Sequence, residues 1–523
     1  MTNDPYVASS SGESNSSAIP RKGSFRGNKS AVAADHPIAA STGAHILHEG
    51  GSAADAAIAM SAVLTVVQPQ MSHLGGDLFA MVFSPQNGSI ALNSSGAAPS
   101  NTKIQEFKDL KEIPESGVNS VTTPGCVAGW EALHTRFGKL PWPRLFEPAE
   151  QLAREGFPPS QALIRALIGG KKKVKPSKYF LSIFEQSFTD NTQKVIQPEL
   201  ANTFRIIMRD GSSGFYDGEI VEHCLNHLNA DGQLFKKDDW QGDARWEEPL
   251  STNFLGHKVL TQPPPSRGLV LLLALKKYDS LLKKKADSTV KEQLAMESFI
   301  YATKLVDSLA GDPDQTGFDA YQLITNEQQS TGKLQAGSDG GTTHLLAIDN
   351  SGFSISLIQS IFSSWGSGVF VPETGILLNN RMRGFVLDEN HPNMVSPGKR
   401  PMHTLHSYLV TDKEDNLYAL GGTPGAFRQP QTNLQILDGL IRLQKNPQDA
   451  LDDPRWGIDP EKGLFVESRT PNILGEKLQF EGSPAHYLES WDGWTGRASV
   501  ARIYPNWLEV GCDLRGEGQA IVD

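Results

Sequence analysis

The chain has 523 residues, 38% of them hydrophobic and 20% charged, with a formal net charge of −11. This is ordinary globular composition, long enough for one large embellished domain or several. The acidic balance gives no reason to expect nucleic acid as a partner, and the strongest apolar run, residues 269–275, is far too short to span a bilayer.

Residues 1–30, rich in Ser, Asn and Gly, read as a flexible leader that cannot bury enough apolar surface to offset its own ordering. They lack the apolar centre of a signal peptide. Cys126, Cys224 and Cys512 are too scattered for a disulfide framework or a metal-ligand spacing, so the expectation is a cytoplasmic enzyme without a metal. The fold is expected to begin at Ala31. In HPIAASTGAHILHEGGSAADAAIAMSAVLTVVQP the small residues from Gly51 onward predict a closely packed core helix, and its lone charge, Asp55, is expected to cap or pair. SHLGGDLFAMVFSPQNGSIALNSSG then gives a glycine pair, an alternating strand, a turn at Asn87 and Gly88, and a second strand.

Residues 124–309 read as largely helical: Trp130, Leu133 and Phe137 recur at helical spacing, and PPPSRG at 263–268 marks a turn before another long helix. The basic runs 171–175 and 283–285 read as solvated faces. Residues 311–341, dominated by Gly, Asp, Gln, Ser and Thr, predict a mobile loop. THLLAID and SGFSISLIQSIF follow as two strands around Asn350, Ser351 and Gly352, then LHSYLVTD and NLYALGG, and a helix over QTNLQILDGLIRLQKN. Strand pairs beside helices predict layered α and β structure.

The junction GSDGGTTHLLAIDN carries the chemistry. A polar loop and two glycines before a hydroxyl residue that opens a strand suit a scissile bond held rigidly on its downstream side. Gly341 leaves its carbonyl unshielded and tolerates strained dihedrals, so the Thr342 hydroxyl can attack it and convert the amide into an ester that water opens. Cleavage exposes an α-amine, ordinarily of pKa about 7.7–8.0, which can take the proton of the same residue's hydroxyl without a histidine. The β-branch of Thr342 narrows its rotamers and aims the oxygen. The pattern alone more often marks a hairpin edge with two solvent-facing threonines. His344, on the same strand face, either orients the nucleophile or is simply packed.

GGSAADAAIA, GGDLFAM, TPGCVAGW, GTTHLLAIDNSG, PETGILLNNRMRGF, PGKRPMHTL, GGTPGAFRQPQ and the terminal DLRG occur in an order that resembles the γ-glutamyltranspeptidase family of N-terminal nucleophile hydrolases, across nearly all of residues 31–520. The resemblance implies an α+β fold, a four-layer α/β/β/α sandwich. It implies a large fragment, 31–341, with its processing loop at 311–341, and a small fragment, 342–523, that stay associated as a heterodimer in one composite domain. Its second hydroxyl residue falls on Ser360 and its oxyanion donors on Gly425 and Ala426, where the usual second glycine is alanine. Two departures concern specificity: residues 93–96 hold no arginine for a glutamyl α-carboxylate, and Arg383 and Gly384 stand where an aspartate would hold the α-amine. His403 and Thr404 replace two serines. RMRGF and KRPMHTL look like the branch with oxamate amidohydrolase and acylase-like members, with Arg383 or Arg400 available to a substrate carboxylate. The expected function is hydrolysis of a small acyl amide through a threonyl ester, with no cofactor. The alternatives are a true γ-glutamyltransferase or glutathione hydrolase, or an unprocessed non-catalytic binding protein.

Overall fold

The computed structural model describes residues 23–523 apart from 109, 171–177, 190–192, 231–233, 285–289, 327–328, 330–331, 333, 335–339, 472–474 and 476. The basic run at 171–175, most of the leader and part of the expected processing loop therefore lie outside the described residues.

Two seven-stranded antiparallel sheets lie face to face. In spatial order the first holds Gln519–Val522, Ala31–Ala34, Gly340–Ile348, Ser354–Ser363, Asp77–Ser84, Gly88–Ser94 and Ala244–Glu247. The second holds Phe25–Gly27, Trp507–Cys512, Ser499–Tyr504, Leu417–Gly422, Ser407–Thr411, His257–Thr261 and Leu250–Phe254. Strand periodicity sorts the side chains into layers. Ala31, Ala33, Leu346 and Ile348 meet Leu409, Leu420 and Val510 between the sheets, while Val32, Ala34, Leu345 and Ala347 point the other way into helices Pro37–His48, Ala53–Val67 and Cys126–Phe137. The far face of the second sheet, with Tyr408, Val410 and Val500, packs on helices Gly268–Lys284, Lys291–Leu309 and Gln429–Leu437. The result is the four-layer sandwich.

Ala53–Val67 is buried on every side, which its alanines and valines permit. Ser52 and Asp55 form a capping box at its start, and Asp55 Oδ2 also accepts from the backbone N–H groups of Lys139 and Leu140. Among the described residues no helix is long and apolar enough to cross a membrane.

Three expectations need correction. The fold begins before Ala31: Phe25–Gly27 pairs with the strand Trp507–Cys512, and Arg26 reaches Glu509 at 2.9 Å. The span 124–309 contains three strands, Ala244–Glu247, Leu250–Phe254 and His257–Thr261, through which the chain crosses from the edge of one sheet to the edge of the other. Their turn lacks the usual Asn-Gly signal, because Leu255 takes the left-handed conformation at φ 48 ahead of Gly256. The expected loop at 311–341 is in part regular, with short helices Pro313–Thr316 and Ala320–Thr325, and its last two residues already belong to the strand Gly340–Ile348.

Candidate active site

The strands Gly340–Ile348 and Ser354–Ser363 pair throughout, but their register shifts between Gly341 and Thr342. Gly341 lies opposite Phe362 and Thr342 opposite Ser360, with Phe362 at φ 78. An extra residue bends a strand and re-aims its side chains, and here the bend presses one hydroxyl against the junction. Ser360 Oγ lies 2.5 Å from the carbonyl oxygen of Gly341, 3.2 Å from Thr342 Oγ1 and 2.7 Å from the Phe362 nitrogen. A hydroxyl has one proton to give; Ser360 donates it to Gly341, so it accepts from both Phe362 N–H and the Thr342 hydroxyl. Thr342 is fully buried.

Both glycines are sterically required. A Cβ on Gly341 would stand 2.7 Å from the carbonyl oxygen of Ser363, and one on Gly340 would stand 2.7 Å from the Cβ of Ala426 and 2.9 Å from its nitrogen. The second figure also locates the Ala426 N–H beside the junction. Gly425 and Ala426 hold φ of 143 and 51, a left-handed turn at the end of the strand Leu417–Gly422.

His344 is packed. Its Nδ1 and Nε2 lie 2.8 Å from the hydroxyls of Ser499 and Ser356, and burial pushes its pKa down to about 3. Facing the other way, the Thr343 hydroxyl bonds to Ser72.

A cavity of 830 Å³ includes in its lining Phe362, the strand partner of Gly341, with Thr404 and Phe427, and a second, of 650 Å³, includes Gly340 and Gln70. Arg383 lines the first too, with Nη2 at 2.9 Å from Glu112. The other two specificity candidates lie elsewhere. Arg400 is buried and bound to Asp312 through both its backbone N–H and its guanidinium, which also reaches Asp314 at 3.1 Å. His403 is buried against Phe79 with Nε2 at 3.0 Å from Asp77, and burial is the main cause that lowers its pKa to about 4.

Sequence reasoning missed Arg381 and Asp77. The Arg381 guanidinium is buried, lies 4.5 Å above the Phe362 ring and 3.3 Å from Asp77, and burial lowers its pKa to about 10. Asp77 also accepts from the backbone N–H of Gly96 at 3.3 Å. Arg381 and the backbone N–H of Gly96 thus share the Asp77 carboxylate. The double arginine of RMRGF was the available signal, and only its second member was considered. Among the described residues no group of three or more His, Cys, Asp or Glu is placed to hold a metal.

Two packed sheets between helical layers, with a glycine-preceded threonine opening an inner strand and a second hydroxyl upon it, define an N-terminal nucleophile hydrolase. The chain belongs to the gamma-glutamyltranspeptidase family, whose model matches residues 39–523. It is similar to the glutathione hydrolase-like YwrD proenzyme of Bacillus subtilis, 32% identical with 95% of this chain and 98% of that one covered. It is also similar to the oxamate amidohydrolase proenzyme of Klebsiella pneumoniae, 31% identical with 93% and 97% covered. Among solved structures, cephalosporin acylase from Bacillus halodurans superposes with a TM-score of 0.87 at 29% identity, over 100% of this chain and 99% of that one. The chain is therefore an enzyme, an autoprocessed amidohydrolase of this family, nearer its amidohydrolase and acylase members; these relatives do not favour the alternatives.

Proposed function

We propose that the backbone breaks between Gly341 and Thr342 and that Thr342 then serves as nucleophile and base in the hydrolysis of a small acyl amide. The observation that carries this is the single Ser360 hydroxyl bonded to both the Thr342 hydroxyl and the Gly341 carbonyl. Donating to that carbonyl polarises it; accepting from the threonine orients its oxygen.

In the processed enzyme the neutral amine of Thr342 takes the hydroxyl proton as the oxygen adds to the substrate carbonyl. The N–H groups of Gly425 and Ala426 receive the developing oxyanion, an interaction whose loss typically costs about 3–4 kcal/mol. The amine leaves with the transferred proton, and water opens the threonyl ester to release the acid and restore the hydroxyl. Thr404 and Arg383 contact the acyl half in the cavity. Neither oxamate, named for one relative, nor glutathione, named for another, is assigned as the substrate.

The fragments 1–341 and 342–523 remain together as a heterodimer in one composite domain. Supporting this, Ala31–Ala34 of the larger is hydrogen-bonded on both edges by strands of the smaller, Gln519–Val522 and Gly340–Ile348 beyond the cut. Three free, buried cysteines fit a cytoplasmic location. Denaturing electrophoresis with sequencing of the lighter fragment tests the reading: its first residues should be Thr, Thr, His. Thr342→Ala should leave one full-length, inactive band, and normal processing of that variant refutes the assignment.

A further inference from the structure

We propose that the enzyme selects amides of uncharged, apolar acids, with an aromatic or medium-chain acyl group held against the rings of Phe362 and Phe427. The inference deepens the amidohydrolase reading and rests on it, with the 830 Å³ cavity taken as the acyl site.

Both rings belong to segments that meet at the junction. The Phe362 N–H donates to Ser360 Oγ at 2.7 Å, and that hydroxyl also bonds Thr342 Oγ1. Phe427 directly follows Ala426, whose nitrogen would lie 2.9 Å from a Cβ built on Gly340. One ring thus enters the cavity wall from the strand Ser354–Ser363 and the other from the turn that carries the proposed oxyanion donors. A substrate whose carbonyl reaches Thr342 and the Ala426 N–H passes its acyl chain along these rings.

A guanidinium backs each ring. That of Arg381 is 4.5 Å from the centre of the Phe362 ring, and that of Arg428 is 4.9 Å from the centre of the Phe427 ring. Both arginines are buried, and neither is among the described residues that line the cavity. Cation–π attraction holds a ring against its guanidinium, so each ring presents hydrocarbon to the cavity and covers a charge. Arg381 comes nearest the cavity at Thr404, whose Oγ1 lies 3.5 Å from its Nη1.

The rest of the wall follows the same division. Phe385, Met402 and Val306 continue the apolar surface. The charges that do line the cavity are matched or exposed: Arg267 pairs with Asp307 and Arg383 with Glu112, while Lys111 and Glu461 face solvent. An acyl carboxylate lodged against the two phenyl rings would lose its hydration without gaining a partner. A methylene or an aromatic ring there exchanges water for carbon, which is favourable. The reaction is otherwise unchanged. The acyl carbon passes from nitrogen to the Thr342 oxygen and then to water, and the products are an apolar carboxylic acid and a free amine.

The test compares acetyl, butyryl, hexanoyl and phenylacetyl para-nitroanilides with the glutaryl and γ-glutamyl compounds on the processed two-fragment enzyme. From acetyl to hexanoyl, kcat/KM should rise by about twofold to fourfold per methylene. Phenylacetyl should match hexanoyl, and glutaryl should fall below it by about tenfold or more. Phe362→Ser and Phe427→Ser should each flatten the rise with chain length and, by uncovering a guanidinium, lift glutaryl relative to hexanoyl; a merely structural role for the rings would lower both alike. The ranking is read on the wild type, so it decides the matter even where a variant fails to fold. A wild type fastest on the glutaryl or γ-glutamyl compound, or indifferent to chain length, overturns the assignment and leaves the amidohydrolase intact. So do folded serine variants that keep the wild-type ratio of hexanoyl to glutaryl turnover. Processed enzyme inert toward all six anilides removes the amidohydrolase reading and this assignment together.

Discussion

The hydroxyl of Ser360 donates to the carbonyl oxygen of Gly341 over 2.5 Å, across a bulge that shifts the register of their two strands. That contact acts on the bond proposed to break. Ser360→Ala should therefore slow processing by a factor comparable to losing one oxyanion donor, about 3 kcal/mol, and Ser360→Thr should restore much of it. The checking measurement is the rate at which the full-length band disappears after refolding. Processing of Ser360→Ala at the wild-type rate would show that the contact is incidental.

Much of the site was legible because its residues are local in sequence. Gly341, Thr342 and His344 share one strand and a hairpin signal gives the next, on which the family resemblance, not the pattern, singles out Ser360. Their layered setting followed from alternation, as Val32 and Ala34 against Ala31 and Ala33 illustrate. What escaped depends on segments far apart in the chain. Asp77 joins Gly96, Arg381 and His403, residues that no periodicity connects. Arg400 looked available to substrate because nothing in KRPMHTL shows that Asp312, from the supposed loop, has already claimed it. The strand His257–Thr261 was taken for helix because its pairing with Ser407–Thr411 supplies the order that its own sequence signals weakly.

Ala426 tests whether oxyanion stabilisation comes from the backbone. Its φ of 51 costs an L-residue roughly 1–2 kcal/mol that glycine avoids. Ala426→Gly should accordingly still self-cleave. Ala426→Val should stall, since a β-branch is ill suited to that conformation and the existing Cβ already lies against Gly340. Gel analysis of both variants decides it; efficient cleavage by Ala426→Val would place the donors elsewhere.

Asp35 predicts a pH dependence of stability. Its carboxylate accepts from the backbone N–H of His344 at 3.1 Å, yet burial, opposed by Arg497, raises its pKa from 3.8 to about 7. Between those values the unfolded chain has lost a proton that the native state keeps, so this group's contribution to stability falls as pH rises through the window and levels off above it. Melting temperatures of wild type and Asp35→Asn, taken at about pH 5 and pH 8, should show the variant gaining on the wild type at the higher pH. An equal offset at both would mean that Asp35 ionises normally. His344, held neutral above about 3 in the native state but not below 6.5 when unfolded, adds a dependence of the opposite sign that is common to both proteins and cancels in the comparison.

The two arginines first considered for substrate should separate cleanly. Arg400 and Asp312 are both buried, so Arg400→Met strands a carboxylate in the interior and should cost about 3–5 kcal/mol of stability. Arg383 faces the cavity and pairs with an exposed Glu112; Arg383→Met should cost less than about 1 kcal/mol. Its effect should appear instead as a raised KM in a protein that still self-cleaves, because the cavity wall contacts substrate without touching the junction hydroxyls. Thermal melts and steady-state kinetics on both variants distinguish the roles. A stable Arg400→Met enzyme with raised KM, beside an unfolded Arg383→Met, would reverse the assignment: the pair Arg400 and Asp312 would then have to open for substrate, contrary to its burial on both sides.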